Sequence, residues 1–118
     1  MGGRLEAGTL ARKIIDLLSD KQAEDVLLLD IRNVATFADY FVIASALSER
    51  QMDAILAALD QELAKDGVRP QGREGVAASG WVLLDFGDVI VHIFTRQERA
   101  YYDLEGLWHA AIPVVRIQ

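Results

Sequence analysis

Few side chains in this sequence could carry out chemistry, and Asp85 and His92 come closest. A carboxylate beside an imidazole can serve as an acid–base pair. Both residues lie in apolar segments that flank Gly87-Asp88, a dipeptide typical of a tight hairpin turn. Paired strands would place the two side chains on one face, but as diagonal neighbours. Because the hairpin has no serine, threonine or cysteine as a nucleophile, we favour a structural or binding role for His92.

Three other patterns are rejected as sites. Asp85-Phe86-Gly87 matches the magnesium triplet of protein kinases, but 118 residues are too few for a kinase. Ser45 before a predicted helix resembles a nucleotidyltransferase turn, yet Asp30-Ile31-Arg32 has arginine where a second metal-binding acid is needed. Gly2-Gly3 is a terminal pair rather than a phosphate-binding loop. The chain has no cysteine and two histidines, so the sequence predicts no catalytic site, metal or cofactor.

The composition predicts one folded domain over residues 1–118, with 52% hydrophobic and 25% charged residues. Eighteen acidic and twelve basic side chains give a net charge of −6. Proteins that bind nucleic acid directly usually have the opposite sign, so a basic protein is the better partner. The apolar stretches are shorter than the ~20 residues that span a bilayer, and the first residues do not resemble a signal peptide. We therefore expect a cytoplasmic protein without a membrane partner.

Hydrophobic periodicity predicts a mixed α/β fold. The predicted helices cover residues 5–18, 48–66 and 97–109, and the predicted strands cover residues 25–31, 40–45, 81–86 and 89–94. Residues 67–80 are expected to form a loop that is either functional or a plain connector with a short strand near Val76. Residues 114–117 are expected to form a short strand or a tail.

Alternation with a period of two divides the predicted hairpin into two faces. One face has only apolar side chains, namely Val82, Leu84, Phe86, Val89, Val91 and Ile93. The other, called the mixed face below, carries Trp81, Leu83, Asp85, Ile90, His92 and Phe94. A face that combines large apolar area with polar atoms is typical of a partner site when it is left open.

Aromatic residues in the third predicted helix could stack on single-stranded nucleic acid. Tyr101, Tyr102 and Trp108 lie near Arg96 and Arg99. Acidic residues interleave with them, namely Glu98, Asp103 and Glu105. This mixture of charges favours a protein partner over nucleic acid.

Three blocks of this sequence resemble the ribosomal silencing factor family, also called the Iojap family. They are residues 38–45 (ADYFVIAS), 81–94 (WVLLDFGDVIVHIF) and 101–108 (YYDLEGLW), and the similarity covers about residues 5–108. The resemblance implies a small mixed sheet packed with helices, similar to nucleotidyltransferases but without their catalytic acids. It also implies a repressor that binds ribosomal protein uL-fourteen on the large ribosomal subunit. Such a factor blocks joining of the small subunit when nutrients are scarce. Residues 109–118 lie beyond the three blocks, and the resemblance implies no role for them.

The predicted partner surface joins the mixed face to the third helix. Its residues are Trp81, Asp85, His92, Phe94, Tyr102, Leu104 and Trp108. Each of them could instead belong to the core. Three alternatives stay open for the function: a large-subunit assembly factor, a generic adaptor and, less favoured, an enzyme on the same fold. The oligomeric state is open between a monomer and a homodimer.

Overall fold

The computed structural model of the chain describes residues 5–118, so the terminal pair Gly2-Gly3 lies outside the described residues. The elements are α1 (Ala7–Asp20), β1 (Glu24–Asp30), β2 (Tyr40–Ala46), α2 (Glu49–Ala64), β3 (Gly72–Glu74), β4 (Trp81–Asp85), β5 (Val89–Thr95), α3 (Arg96–Tyr102), α4 (Leu104–Leu107) and β6 (Ile112–Ile117). A 3-10 turn, Ala77–Ser79, precedes β4. No helix among these residues is long and apolar enough to cross a membrane.

The strands form one six-stranded sheet in the order β3-β4-β5-β2-β1-β6. Strands β2 and β5 pair in parallel, and the other neighbours pair antiparallel. Parallel strands require a long crossover, which here includes α2 and the β3–β4 region. The predicted mixed α/β fold is confirmed.

The position of helix α2 is determined by its capping residues and by an apolar stripe along one side. Ser48 Oγ accepts a hydrogen bond from the Gln51 backbone N–H at 3.0 Å, as the capping pattern predicts. Gly67, at φ +73°, adopts the left-handed conformation just beyond the helix. The predicted stripe is buried throughout, namely Met52, Ile55, Leu56, Leu59 and Leu63. This helix therefore packs its apolar side on the sheet.

The β4–β5 hairpin has the predicted register. Leu83 pairs with His92 and Trp81 pairs with Phe94. Gly87 has φ +88°, which suits the first position of a tight turn and which other residues rarely adopt. The hairpin thus places its two sets of side chains on opposite sides of the sheet.

Helices α1 and α2 cover the apolar face of the sheet, and their side chains share one hydrophobic cluster with Val82, Leu84 and Val91. On the mixed face a second, smaller cluster contains Phe41, Phe94 and residues from α4 and the 31–38 segment. Only part of the mixed face is buried, because the elements over it are short. Its β5 residues His92 and Phe94 are buried, whereas Trp81, Leu83 and Asp85 on β4 stay partly exposed.

The prediction of a single helix over residues 97–109 is wrong. Two short helices, α3 and α4, meet at Asp103, which has φ +46° and ends α3. The Asp103 side chain then accepts a hydrogen bond from Gly106 N–H at 3.1 Å and so begins α4. A Cβ on Gly106 would clash with the Asp103 carboxylate, so a larger residue there would displace the side chain that begins α4. The break turns Leu104 into the second hydrophobic cluster, where it is buried.

Two segments for which a short strand was one of the predicted alternatives do form strands. The 67–80 loop contains β3, which lies two residues before the short strand expected near Val76. Residues 112–117 form β6, which pairs antiparallel with β1 at the edge of the sheet. The C-terminal segment is therefore part of the sheet rather than a tail.

Candidate functional site

An aromatic stack crosses the open side of the mixed face. The Trp81 ring lies 4.9 Å from the ring of Phe94 and 4.5 Å from that of Tyr102, measured between centroids. Phe94 is fully buried, whereas Tyr102 is 45% exposed. Strand pairing fixes Trp81 over Phe94, and the end of α3 places Tyr102 beside them. The result is a surface aromatic group supported by a buried one.

A second group of aromatic rings continues this surface. Phe41 lies 5.0 Å from Trp108 and 6.1 Å from Phe37, and Phe37 lies 5.9 Å from Trp108. Phe37 is 58% exposed, although it lies in a loop that the sequence patterns leave without a role. Its spacing of four residues before Phe41 is the only signal that could have found it. We call the exposed and half-exposed rings of both groups, Phe37, Trp81, Tyr102 and Trp108, the aromatic surface.

His92 lies beneath this surface and joins the two groups. Its ring centroid is 4.9 Å from that of Phe41, and its Nδ1 accepts a hydrogen bond from Trp81 Nε1 at 3.2 Å. Because Nδ1 accepts, the neutral ring carries its hydrogen on Nε2, and that buried atom has no hydrogen-bond partner among residues 5–118. Burial lowers the pKa of His92 to about 4. The imidazole is therefore neutral at physiological pH and orients the Trp81 indole.

The structure does not bring Asp85 and His92 together as an acid–base pair. Asp85 Oδ1 instead accepts a hydrogen bond from Gly87 N–H at 2.8 Å and so holds the hairpin turn. His92 faces Leu83 across the strands. Among residues 5–118 no group of three or more acidic or histidine side chains could hold a metal ion.

The predicted partner residues divide by exposure. His92, Phe94 and Leu104 are buried, and each residue has 8% or less of its surface exposed to solvent. Trp81, Asp85 and Trp108 are partly exposed, and Tyr102 is exposed. A buried side chain offers little area to a partner, so the first three support the surface from below. The partner role of the others stays a prediction.

Arg99 is buried and connects the short helices to the sheet, a role that its place in the sequence beside aromatic residues does not predict. Arg99 Nη1 donates to the Asp25 carbonyl at 2.7 Å and to Ser45 Oγ at 2.9 Å. Its Nε and Nη2 donate to the two carboxylate oxygens of Glu105 at 3.2 and 3.1 Å. Arg116 on β6 in turn holds the Asp25 carboxylate. One guanidinium therefore ties α3 to α4, β1 and β2, which fixes where Tyr102 lies.

The stability of the fold is expected to fall as the pH is lowered from neutral towards the native pKa of His92. Because the native pKa of His92 is about 4 and the unfolded value is near 6.5, the unfolded chain binds more protons between those values. The stability that neutral His92 contributes is thus complete above pH 6.5 and is lost as the pH falls through that window. We expect a loss of about 2 kcal/mol at pH 5, measured by urea unfolding. His92→Gln, which cannot titrate, should flatten this dependence; an equally steep fall in that variant would contradict the assignment.

Comparison with known proteins places the chain in a family. A family model described as "Ribosomal silencing factor during starvation" matches residues 4–118. The ribosomal silencing factor of Bacillus subtilis is 43% identical over 89 residues, which is 75% of each protein. That of Halalkalibacterium halodurans is 38% identical over 109 residues, or 92% of each.

A crystal structure of a protein from Chromobacterium violaceum has the same fold, with a TM-score of 0.84 at 32% identity. The similarity covers 89% of this chain and 88% of that one. The family match also runs through β6, so residues 109–118 are part of the family's pattern, contrary to the expectation from the sequence blocks. The resemblance is confirmed over nearly the whole chain, which belongs to the ribosomal silencing factor family.

Proposed function

We propose that this protein represses translation by binding the large ribosomal subunit and blocking the small subunit from joining. Its direct partner is the basic ribosomal protein uL-fourteen, and it acts when nutrients are scarce, as in stationary phase. The aromatic surface carries the proposal, because the exposed Tyr102 ring and the partly exposed Trp81 ring pack together over the buried ring of Phe94. Tyrosine and tryptophan anchors of this kind dominate binding energy in protein interfaces.

The buried residues support the binding role indirectly. Phe94 and His92 hold Trp81 by stacking and by the indole hydrogen bond. Leu104 closes the cluster below. A surface held rigid in this way loses little side-chain entropy on binding, which favours affinity. The acidic net charge of −6 complements a basic ribosomal protein and favours rapid encounter.

To block joining of the small subunit, the protein needs only to bind the large subunit and to occupy space on its joining face. The described residues span 41 × 32 × 24 Å, and a body of that size on the joining face fills space that the small subunit must enter. We therefore propose a single-domain regulator of the cytoplasm that performs no reaction.

Sucrose-gradient sedimentation with purified ribosomal subunits tests the proposal. The protein should migrate with large subunits, not with small ones, and should raise the fraction of free subunits when both are mixed. Binding that leaves subunit joining unchanged would favour an adaptor or assembly factor instead. Protein that stays at the top of the gradient, or that migrates only with small subunits, would reject the proposal.

A further inference from the structure

The mixed face contains a notch beside Trp81, at the edge of the sheet where β3 meets β4. It has a volume of about 220 Å³ and is lined by Glu74, Gly75, Trp81 and Leu83. Trp81 and Leu83 are partly exposed here, and Glu74 is exposed. The notch therefore offers an aromatic ring, an aliphatic side chain and a carboxylate to one ligand group.

Strand register explains why the notch is acidic. Glu74 pairs with Leu83 and so lies on the mixed face, whereas Arg73 pairs with Leu84 and lies on the opposite face. There Arg73 Nη1 approaches Asp60 of α2 at 3.9 Å. Within residues 5–118, Glu74 takes part in no ion pair. The carboxylate thus has no cation of its own.

Gly75 gives the notch its shape. Its φ of +85° turns the chain sharply after β3, and a Cβ there would lie 2.2 Å from the Trp81 carbonyl oxygen. The backbone at Gly75 therefore runs directly against the Trp81 backbone, and Glu74 and Trp81 line the same notch. Any residue with a Cβ at position 75 would push the backbone away from the Trp81 carbonyl.

We propose that this notch receives an arginine or lysine side chain of the ribosomal protein that the domain binds. The proposal rests on the proposed function and adds the chemistry by which the partner is recognised. The cationic head pairs with the Glu74 carboxylate and lies against the Trp81 ring, and the aliphatic stem packs on Leu83. Carboxylate pairing and cation–π attraction both strengthen when the partner excludes water from the site. Since Asp85 lies on the same face and adds a second negative charge, an acidic partner group is disfavoured.

Titration of large ribosomal subunits with Glu74→Gln tests the notch. The matched control is Asp53→Asn, which removes one negative charge from the exposed side of α2, beyond the other face of the sheet. Glu74→Gln should weaken binding about tenfold, as expected for the loss of a desolvated charge pair, and Asp53→Asn should leave it within about twofold. The Glu74 variant should also lose part of the dependence of affinity on salt concentration. Both substitutions are exposed, so thermal melting should be unchanged.

The outcomes separate the two proposals. Equal affinity of both variants and the wild type would overturn the notch while leaving subunit binding intact. Equal weakening by both variants would show that only net charge matters, and it would also overturn the notch. If the wild-type protein itself fails to bind large subunits, both the proposed function and the proposed role of the notch are rejected.

Discussion

Tyr102→Ala should weaken binding to the large ribosomal subunit by about thirtyfold or more, the result expected for an interface anchor worth about 2 kcal/mol. The ring is 45% exposed and packs against the Trp81 ring at 4.5 Å between centroids, tilted by 47°. Its removal strips the exposed layer from the aromatic stack and leaves the buried layer in place. The folding cost should therefore be small, about 1 kcal/mol. Affinity and thermal melting should be measured on the same preparation.

Two neighbouring variants sharpen this prediction. Tyr102→Phe keeps the ring and should bind nearly as well as the wild type, because the stacked ring provides the anchor. Tyr101→Ala removes an adjacent, more exposed ring whose one aromatic contact among residues 5–118 is with Tyr102, and it should cost much less affinity. If Tyr101→Ala is as damaging as Tyr102→Ala, the contact surface is centred on α3 rather than on the stack.

Arg99→Met should cause a large loss of stability on this side of the sheet. The substitution leaves Ser45, the Asp25 carbonyl and Glu105 without their shared donor. Removing one partner of a buried ion pair costs about 3–5 kcal/mol, and the partly exposed carboxylates here favour the lower end. A loss of about 3 kcal/mol should lower the melting temperature by about 10 °C.

The control is Arg96→Met on the same helix. Arg96 also holds a carboxylate with two hydrogen bonds, to Glu24, but the pair is exposed. Solvent screens such a pair, so the melting temperature should barely change. Similar melting temperatures for the two variants would mean that the buried guanidinium does not stabilise the helices.

Local chemistry in the sequence was enough to predict the hairpin and the helix on the apolar face. Gly87-Asp88 sets the turn, and period-two alternation then fixes that Leu83 faces His92. Ser48 and Gly67 mark the ends of α2 for similarly local reasons. These features need only neighbouring residues, and this is why pattern analysis recovers them.

Burial on the mixed face could not be predicted in the same way. Whether Phe94 contacts a partner or the core depends on the positions of α3 and α4. The hydrogen bonds of Arg99 to Asp25 and Ser45, which are far away in the sequence, help to fix those positions. The break at Asp103 was missed because an unbroken apolar stripe also fits Leu104 and Trp108. Glu74 was missed because its face depends on a three-residue strand whose position the loop composition does not reveal.

The pairing of β1 with β6 also determines the order in which this molecule can fold. Val26 pairs with Ile117, 91 residues later in the chain, so closing this pair is slow and one flank of β1 stays open until it closes. The exposed segment would be Val-Leu-Leu-Leu at positions 26–29, an uncharged apolar strand with unsatisfied backbone groups. Such a strand in a partly folded chain is a template for intermolecular pairing, and long-range closure is slow. Aggregation during refolding should therefore be governed by how quickly β6 docks, and a chain lacking residues 112–117 should precipitate even though its helices and hairpin are intact.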